Sequence, residues 1–567
     1  MTLPRHPEST TVDLVVIGSG TGLAAALSAY EAGLSVVVVE KSQWVGGSTA
    51  RSGGAFWIPA NPVLTDEGSA DTYQRGATYL ESVVAGSAPA ERWRSFLDHG
   101  SATVEMLRRL TPMKLFWARG YSDYHPELPG GSAAGRSCEC RPLDLKLLGA
   151  DRKKLRPAVL EAPVPMPVTG ADYKWLNLMA RKPGRAIPRI AKRVAQGIGG
   201  LLVGREYAAG GQAIAAGLFA GVRRAGIPVW TETSLERLVV EQGRVVGAEL
   251  RHNGKTVVVR AERGVVLATG GFDHNLPQRH AHQHPELEGW SLGADTNTGD
   301  GIRAAEEVGA GTDLMDQAWW FPAVAPLGDA APDVLLAERS LPGSLMVDET
   351  GKRFINESGD YMSFGQRVLE LARDRGALPG MWLLFDQRYR NSYVFAGAHF
   401  PRAPLPKAWY EAGIAHRADN PADLARAMGV DAEALRATLG RFNELAAAGV
   451  DEDFQRGASA YDRYYGDPTV APNPNLRPLD GTLYAVRIVL SDLGTCGGVR
   501  ADGLGRALST TGAPIPGLYA IGNAAANAFG NTYPGAGATI GQGLVYGYIV
   551  GRHAAGKLPD PAEPAAR

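Results

Sequence analysis

Cysteine is almost missing from this chain: Cys138, Cys140 and Cys496 are the only three in 567 residues. So odd and sparse a set builds no disulfide framework and points to a reducing compartment, the cytoplasm. Cys138-Glu139-Cys140 is too tightly spaced for a usual zinc pair and no histidine pair lies near it, so the cysteines read as structural and no metal is expected. An excess of charge of one sign is lacking too. The 58 Lys and Arg balance 59 Asp and Glu to a net charge of -1, which gives no basic footprint for a nucleic-acid partner. No apolar run approaches the roughly 18 residues of a membrane span. The polar stretch Met1 to Thr11 holds no apolar signal core.

Glycine is what the chain has in quantity. Its 71 glycines fall in short clusters rather than a repeat, which fits loops that cradle a nucleotide. Val12 to Ile17 reads as a buried parallel strand, followed by Gly18-Ser19-Gly20-Thr21-Gly22 and an alanine-rich helix from about Leu23 to Ala32. A second strand, Ser35 to Val39, ends at Glu40. In such a βαβ unit the glycines let backbone approach a pyrophosphate at the helix N-terminus, and Glu40 accepts from ribose hydroxyls. The usual spacing is G-x-G-x-x-G; here the third glycine, Gly22, comes one residue early.

Later segments favour a flavin over a nicotinamide. Gly46 to Gly54 is a second small-residue loop; Leu238 to Ala248 reads as a hairpin turning at Gly243; the strand Gly264 to Ala268 runs into Thr269-Gly270-Gly271. Gly517 to Asn523 then reads as a returning strand and turn of the same fold. The expected architecture is α/β: a Rossmann-like FAD-binding domain in two parts, residues 1–320 and 491–567, with an inserted α+β catalytic cap domain at 321–490. Just after the returning strand comes Asn531-Thr532-Tyr533-Pro534-Gly535-Ala536-Gly537-Ala538-Thr539. A Tyr hydroxyl and a glycine N–H there are both donors, suited to a carbonyl oxygen on which negative charge builds.

These residues resemble the FAD-dependent fumarate reductase/succinate dehydrogenase superfamily across essentially the whole chain, and within it the 3-ketosteroid Δ1-dehydrogenases. The resemblance rests on GGSTARSGG (46–54), GYSDYHPELPGG (120–131), NTGDG (297–301), DQAWWFP (316–322), GKRFINESGDY (351–361), FDQRYR (385–390), SAYDRYYGDP (459–468), DLGTCGG (492–498) and NTYPGAGATIG (531–541). It implies that Tyr533 and Gly537 polarise the steroid 3-ketone. It implies further that Tyr361 removes a proton from C2 with help from Tyr124, and that C1 gives hydride to the flavin. Its cofactor contacts fall on Gly18, Ser19, Gly20, Gly22, Glu40 and Lys41; on Gly47, Ser48, Thr49, Ser52, Gly53 and Gly54; on Thr269, Gly270 and Asp300; and on Gly522, Asn523, Ala538, Thr539 and Ile540. Trp44 to Gly54 lacks the histidine that tethers flavin in succinate dehydrogenases, so FAD is expected to be non-covalent. Gly530 to Pro534 holds no cation, so the dicarboxylate clamp of fumarate reductases is absent.

The partners so implied are a 3-ketosteroid and an unidentified electron acceptor, quinone-like or an artificial dye. Two rivals stay open: a flavoprotein that desaturates another position of a 3-ketosteroid, C4–C5, and a flavin-carrying electron-transfer or binding subunit without its own substrate. Trp319 and Trp320 read equally as pocket wall or as core. From Tyr173 to Arg205 there is no acidic residue, while lysines and arginines interleave with Ile187, Ile190, Val194 and Ile198. Residues 181–205 are thus either a weak peripheral membrane contact or, the favoured reading, a solvated helix face, with Pro183 and Pro188 expected to limit any long helix.

Overall fold

The computed structural model describes residues 9–159 and 164–560; most of the polar N-terminal stretch lies outside them. Strand β1 (Ser9–Ile17), helix α1 (Gly22–Glu31) and strand β2 (Val36–Val39) form the expected first unit. From Leu14 to Ile17 every β1 side chain is buried, as a strand covered on both faces requires. Burying each such Val, Leu or Ile contributes about 1.5–3 kcal/mol. β1 pairs in parallel with β2 on one side and with Lys255–Leu267 on the other. Pro514–Ala520 then joins Lys255–Leu267 in parallel, so the chain does return to its first sheet. Thr233–Glu241 and Arg244–His252 form the expected hairpin, turning at Gly243 with φ +76°.

The early glycine has a packing reason. A Cβ at Gly22 would stand 2.9 Å from the Ala268 Cβ and 3.0 Å from a Val16 methyl, so α1 lies tight on the sheet there. That is the role of the third glycine in the usual spacing, performed one residue sooner. The last helix, Ala538–Ala554, packs on α1 as closely: a Cβ at Gly547 would meet the Ala25 nitrogen at 2.9 Å, and one at Gly551 the Ala29 nitrogen at 2.6 Å.

A second, antiparallel sheet carries the cap. Its long strands are Ala318–Val324 and Leu483–Thr495, flanked by Met381–Asp386 and Ser344–Asp348. Limits at 321 and 490 therefore fall inside two strands, because these strands continue out of the nucleotide region without a loop to mark the change. Along Ala318–Val324 the pleat separates the tryptophans. Trp320 is fully buried over the Gly365 backbone, whereas Trp319 faces the central cavity.

The prolines of the basic stretch do not stop a helix. Pro183–Leu202 is one helix of 20 residues, with Pro183 at its first position, where no N–H is needed, and Pro188 inside it. Among the described residues no helix is long and apolar enough to cross a membrane.

Candidate active site

One cavity of about 880 Å³ runs from the β1–α1 turn to the facing sheet of the cap. Its nucleotide end is built from close backbone approaches. Gly18 has φ +108°, and a Cβ there would sit 2.1 Å from the Ala268 carbonyl oxygen. At Gly54, φ +80°, it would sit 2.0 Å from the Gly210 backbone. Glu40 is buried, and one of its oxygens accepts from the Ser19 N–H (3.0 Å) and hydroxyl (2.5 Å), the other from the Ser42 N–H (2.9 Å). This bonding locks the glycine turn to the end of β2 and leaves one carboxylate lone pair, on the oxygen that Ser42 bonds, for a ribose. Lys41 is paired with Asp300 at 2.5 Å, so two expected cofactor residues hold each other.

The loop 46–54 contributes Gly47, Ser48, Thr49, Ser52, Gly53 and Gly54 to the cavity wall. Ser48 Oγ accepts from Ala294 N–H and Asn297 Nδ2, both at 2.9 Å. Both its lone pairs are used, which leaves its O–H only the role of donor. Asn297 is in turn fixed by Asp273, whose carboxyl is raised to about 7 by burial and by the nearby Asp492. Ser19, Gly20, Thr269, Gly270, Gly522, Asn523, Thr539 and Ile540 complete the expected lining. Thr269 Oγ1 is buried without a hydrogen bond. Backbone cradles, a donor-only hydroxyl and an unpartnered hydroxyl together fit a dinucleotide with a polar ring. Gly22 and Ala538 were expected at the cofactor but do not line this cavity; both are packing residues of helix starts.

Tyr533 and Gly537 sit on a loop pinned at nearly every residue. Asn531 O accepts from Gln366 and Thr532 O from Asn527. Pro534 O takes the Tyr79 hydroxyl (2.6 Å) and the Tyr124 N–H (3.1 Å); Ala536 O takes the Ser137 hydroxyl (2.8 Å), and Gly537 O the Trp57 N–H (3.2 Å). Gly537 has φ +93°, and a Cβ there would fall 2.3 Å from the Ala55 backbone, so only glycine fits. Its N–H donates to the Tyr533 hydroxyl oxygen at 3.3 Å, and Thr539 Oγ1 donates to the same oxygen at 3.2 Å. The two donors expected to grip a carbonyl are thus neighbours that meet each other.

Tyr361 is the first residue of helix Tyr361–Arg375, whose N-cap Asp360 accepts from Ser363 N–H at 2.9 Å. The Tyr361 and Tyr533 ring centres are 5.5 Å apart and both line the cavity. Burial pushes the Tyr361 phenol well above the ordinary value of 10, and Tyr533 adds to the rise while Tyr124 opposes it. Tyr124 lies behind this pair, 5.3 Å from Tyr361 and 5.1 Å from Tyr533 ring to ring, and does not line the cavity. Its buried hydroxyl finds no hydrogen-bond partner.

Sequence reasoning missed several residues. Tyr461 packs against Tyr124, the rings tilted and their centres 4.6 Å apart, with an equally unpartnered hydroxyl, and Tyr121 lines the cavity. Their signal lay in the blocks SAYDRYYGDP and GYSDY, which crowd five tyrosines into two short segments. Arg51 also lines the cavity and makes one hydrogen bond, from Nε to Leu292 O. The three cysteines are all buried.

Comparison with known proteins shows the family. Residues 13–540 match the family model described as FAD binding domain. A 3-oxosteroid 1-dehydrogenase of Mycobacterium tuberculosis is 45% identical over 555 residues, 96% of this chain and 98% of that protein. One from Mycolicibacterium smegmatis is 44% identical over 549 residues, 95% of this chain and 96% of that protein. The crystal structure of 3-ketosteroid Δ1-dehydrogenase from Sterolibacterium denitrificans, in complex with 1,4-androstadiene-3,17-dione, superposes with a TM-score of 0.91. It is 36% identical and covers 97% of this chain and 100% of that one.

Glu40 gives a direct check on the nucleotide end. Glu40→Ala removes a charged acceptor that also orders Ser19 and Ser42. Charged hydrogen bonds contribute about 1.5–3 kcal/mol, so FAD should bind the apoprotein about tenfold or more weakly in a fluorescence titration. Unchanged affinity would mean that Glu40 does not face the ribose.

Proposed function

We propose that this chain, which belongs to the FAD-binding family and within it to the 3-oxosteroid 1-dehydrogenases, works through Tyr533, Gly537, Tyr361 and Tyr124. It is an FAD-dependent oxidoreductase that introduces the C1–C2 double bond into 3-ketosteroids, a step of steroid catabolism. The observation that carries the assignment of roles is the pinned loop. It turns the Gly537 N–H and the Tyr533 hydroxyl onto one spot, with the Tyr361 ring beside them.

Protons next to a ketone are weakly acidic, so their removal needs a base and a place for the charge to go. The 3-ketone oxygen replaces the Tyr533–Gly537 contact and accepts from both donors. The Tyr361 phenolate oxygen takes the C2 proton, and the electron pair of that bond moves toward the gripped oxygen. FAD, when bound, supplies the acceptor for the hydride from C1. Tyr361 stands at the start of its helix, so its negative charge forms at the positive end of the helix dipole. The unpartnered Tyr124 hydroxyl is the donor that steadies this phenolate.

FAD is held without a covalent bond in this reading, since residues 44–54 offer no histidine. The oxidant that resets it is a quinone-like acceptor. Residues 181–205 serve as a peripheral membrane contact where a lipophilic ketone is collected. Ile187, Ile198, Leu201, Leu202 and Val203 are all exposed there, Leu202 by 84%. Exposed Arg185, Arg189 and Lys192 form no ion pair with an acid among the described residues, whereas Arg193 is tied to Asp172 at 2.7 Å. Gly197 and Leu201 of the same helix line the cavity. Arg185 and Arg189 each lie 5.1 Å over the Trp175 ring, their charge left without an acidic partner among the described residues. An exposed apolar stripe beside such cations suits an anionic lipid surface better than water.

Tyr533→Phe keeps the ring and the base but loses a donor to the ketone. Turnover should fall by about 10²–10³ with FAD retained. In the parent enzyme the base is active only when deprotonated and its phenol is raised above 10. Activity should therefore climb with pH from neutral through about 9 without a plateau. A plateau at pH 7 would exclude Tyr361 as a free phenolate base. For the membrane contact, co-sedimentation with anionic phospholipid vesicles should weaken as salt rises and vanish on reversing Arg185, Arg189 and Lys192 to Glu. No co-sedimentation at low salt would leave the helix face simply solvated.

A further inference from the structure

Asn177 ends the helix Gly170–Asn177, on the cavity wall. It is 1% exposed, and neither its amide oxygen nor its amide nitrogen makes a well-formed hydrogen bond, though the Tyr173 hydroxyl one turn earlier lies close enough for the amide to favour its ionised form. Buried amides are almost always partnered, because an unmade bond inside a protein is not replaced by water. Among the described residues, two others on this wall have a buried atom without a partner, and each has a simpler account. Thr269 belongs to the nucleotide end, and Glu139 still accepts from the Ala171 N–H at 3.3 Å. In Asn177 a donor and an acceptor both lack a well-formed bond, on a cavity wall that also includes Leu176, Leu336 and Val394.

The helix that carries Asn177 is held too firmly for the amide to be an accident of looseness. Asp172 accepts from the Thr169 hydroxyl at 2.9 Å and from Arg193 at 2.7 Å. Glu139 accepts from the second residue of the helix, and the Tyr173 hydroxyl donates to the buried Glu338 at 3.1 Å. Three separate segments thus fix the helix, and with it the position of its last residue. A fixed, dry amide in an apolar wall is how a site reads one polar atom on an otherwise apolar ligand.

We infer that Asn177 is the specificity-determining contact for an oxygen at the ring-D end of the substrate. This rests on Tyr533 and Gly537 gripping the 3-ketone, since a rigid four-ring nucleus then carries its 17-substituent into the remaining apolar part of the cavity. A 17-ketone accepts from Asn177 Nδ2. A 17-hydroxyl accepts from Nδ2 and donates to Oδ1, meeting both unmade bonds.

The test compares 4-androstene-3,17-dione with 4-androsten-3-one, the same nucleus without the 17-oxygen, on the FAD-loaded enzyme. The parent should favour the dione in kcat/KM by about tenfold or more, the worth of one well-made hydrogen bond in a dry site. Asn177→Leu, of similar volume and with no polar atom to bury, should bring that ratio close to one. The change should come through a higher KM for the dione, with kcat and the turnover of the deoxy steroid unchanged. Unchanged deoxy turnover also shows the tyrosine site intact, so failure here is distinct from failure of the catalytic reading. Equal kcat/KM for both steroids in the parent, or a ratio that survives Asn177→Leu, would overturn the inference. Should that variant not fold, Asn177→Ala replaces it, with the same loss of the ratio expected and a surviving ratio overturning the inference.

Discussion

The approach of residue 537 to Ala55 is the contact on which the site depends. A side chain there would collide with backbone 2.3 Å away, so the chain can pass only as glycine in a left-handed conformation. That conformation starts the last helix, aims the Gly537 N–H at the Tyr533 oxygen and brings Gly537 O onto the Trp57 N–H. The same helix then lies on α1, where Gly547 and Gly551 allow near backbone contact. One glycine thus joins the proposed ketone grip, the small sheet behind it and the nucleotide-binding βαβ unit. Electrostatic catalysis needs this kind of rigidity, because a donor placed before reaction spends no energy reorganising during it.

The tyrosine cluster shows the cost of dryness. Burial raises Tyr361, Tyr124 and Tyr461 well above the ordinary phenol value, with no nearby cation dominating in compensation. Tyr361, the base in the proposed mechanism, is therefore a phenol at neutral pH and forms phenolate rarely. What it gains is a water-free surface in which a short-lived enolate keeps its proton donors to itself. One buried charge elsewhere is paired: Arg136 lies between Asp71 and Asp123, Asp123 taking the Trp57 indole N–H at 2.8 Å. That pairing braces the 120–124 segment against the Gly537 loop.

Much of this was legible in the sequence, for physical reasons that can be named. The βαβ unit follows from an unbroken apolar strand, clustered glycines and an acid at fixed spacing, and the Gly537 loop from glycine density beside a tyrosine. The early Gly22 was legible as an irregularity, but its cause, Val16 and Ala268 pressed against it, belongs to tertiary packing. Period-two alternation already separates Trp319 from Trp320, yet not which face holds the cavity. The helix across Pro188 defied a local rule because an early turn tolerates one missing hydrogen bond. Asn177 was invisible, since an asparagine becomes informative only when its surroundings leave it unpaired.

The central claim is that Tyr361 takes the C2 proton within a dry, pre-aimed site. Its most direct measure is exchange of C2 deuterium from labelled steroid into solvent, with FAD bound and hydride transfer unobserved. Tyr361→Phe should slow this exchange by about 10²–10⁴, the range of general-base catalysis. Exchange at the parent rate in that variant, with FAD still in place, would contradict the account and move the proton to another residue.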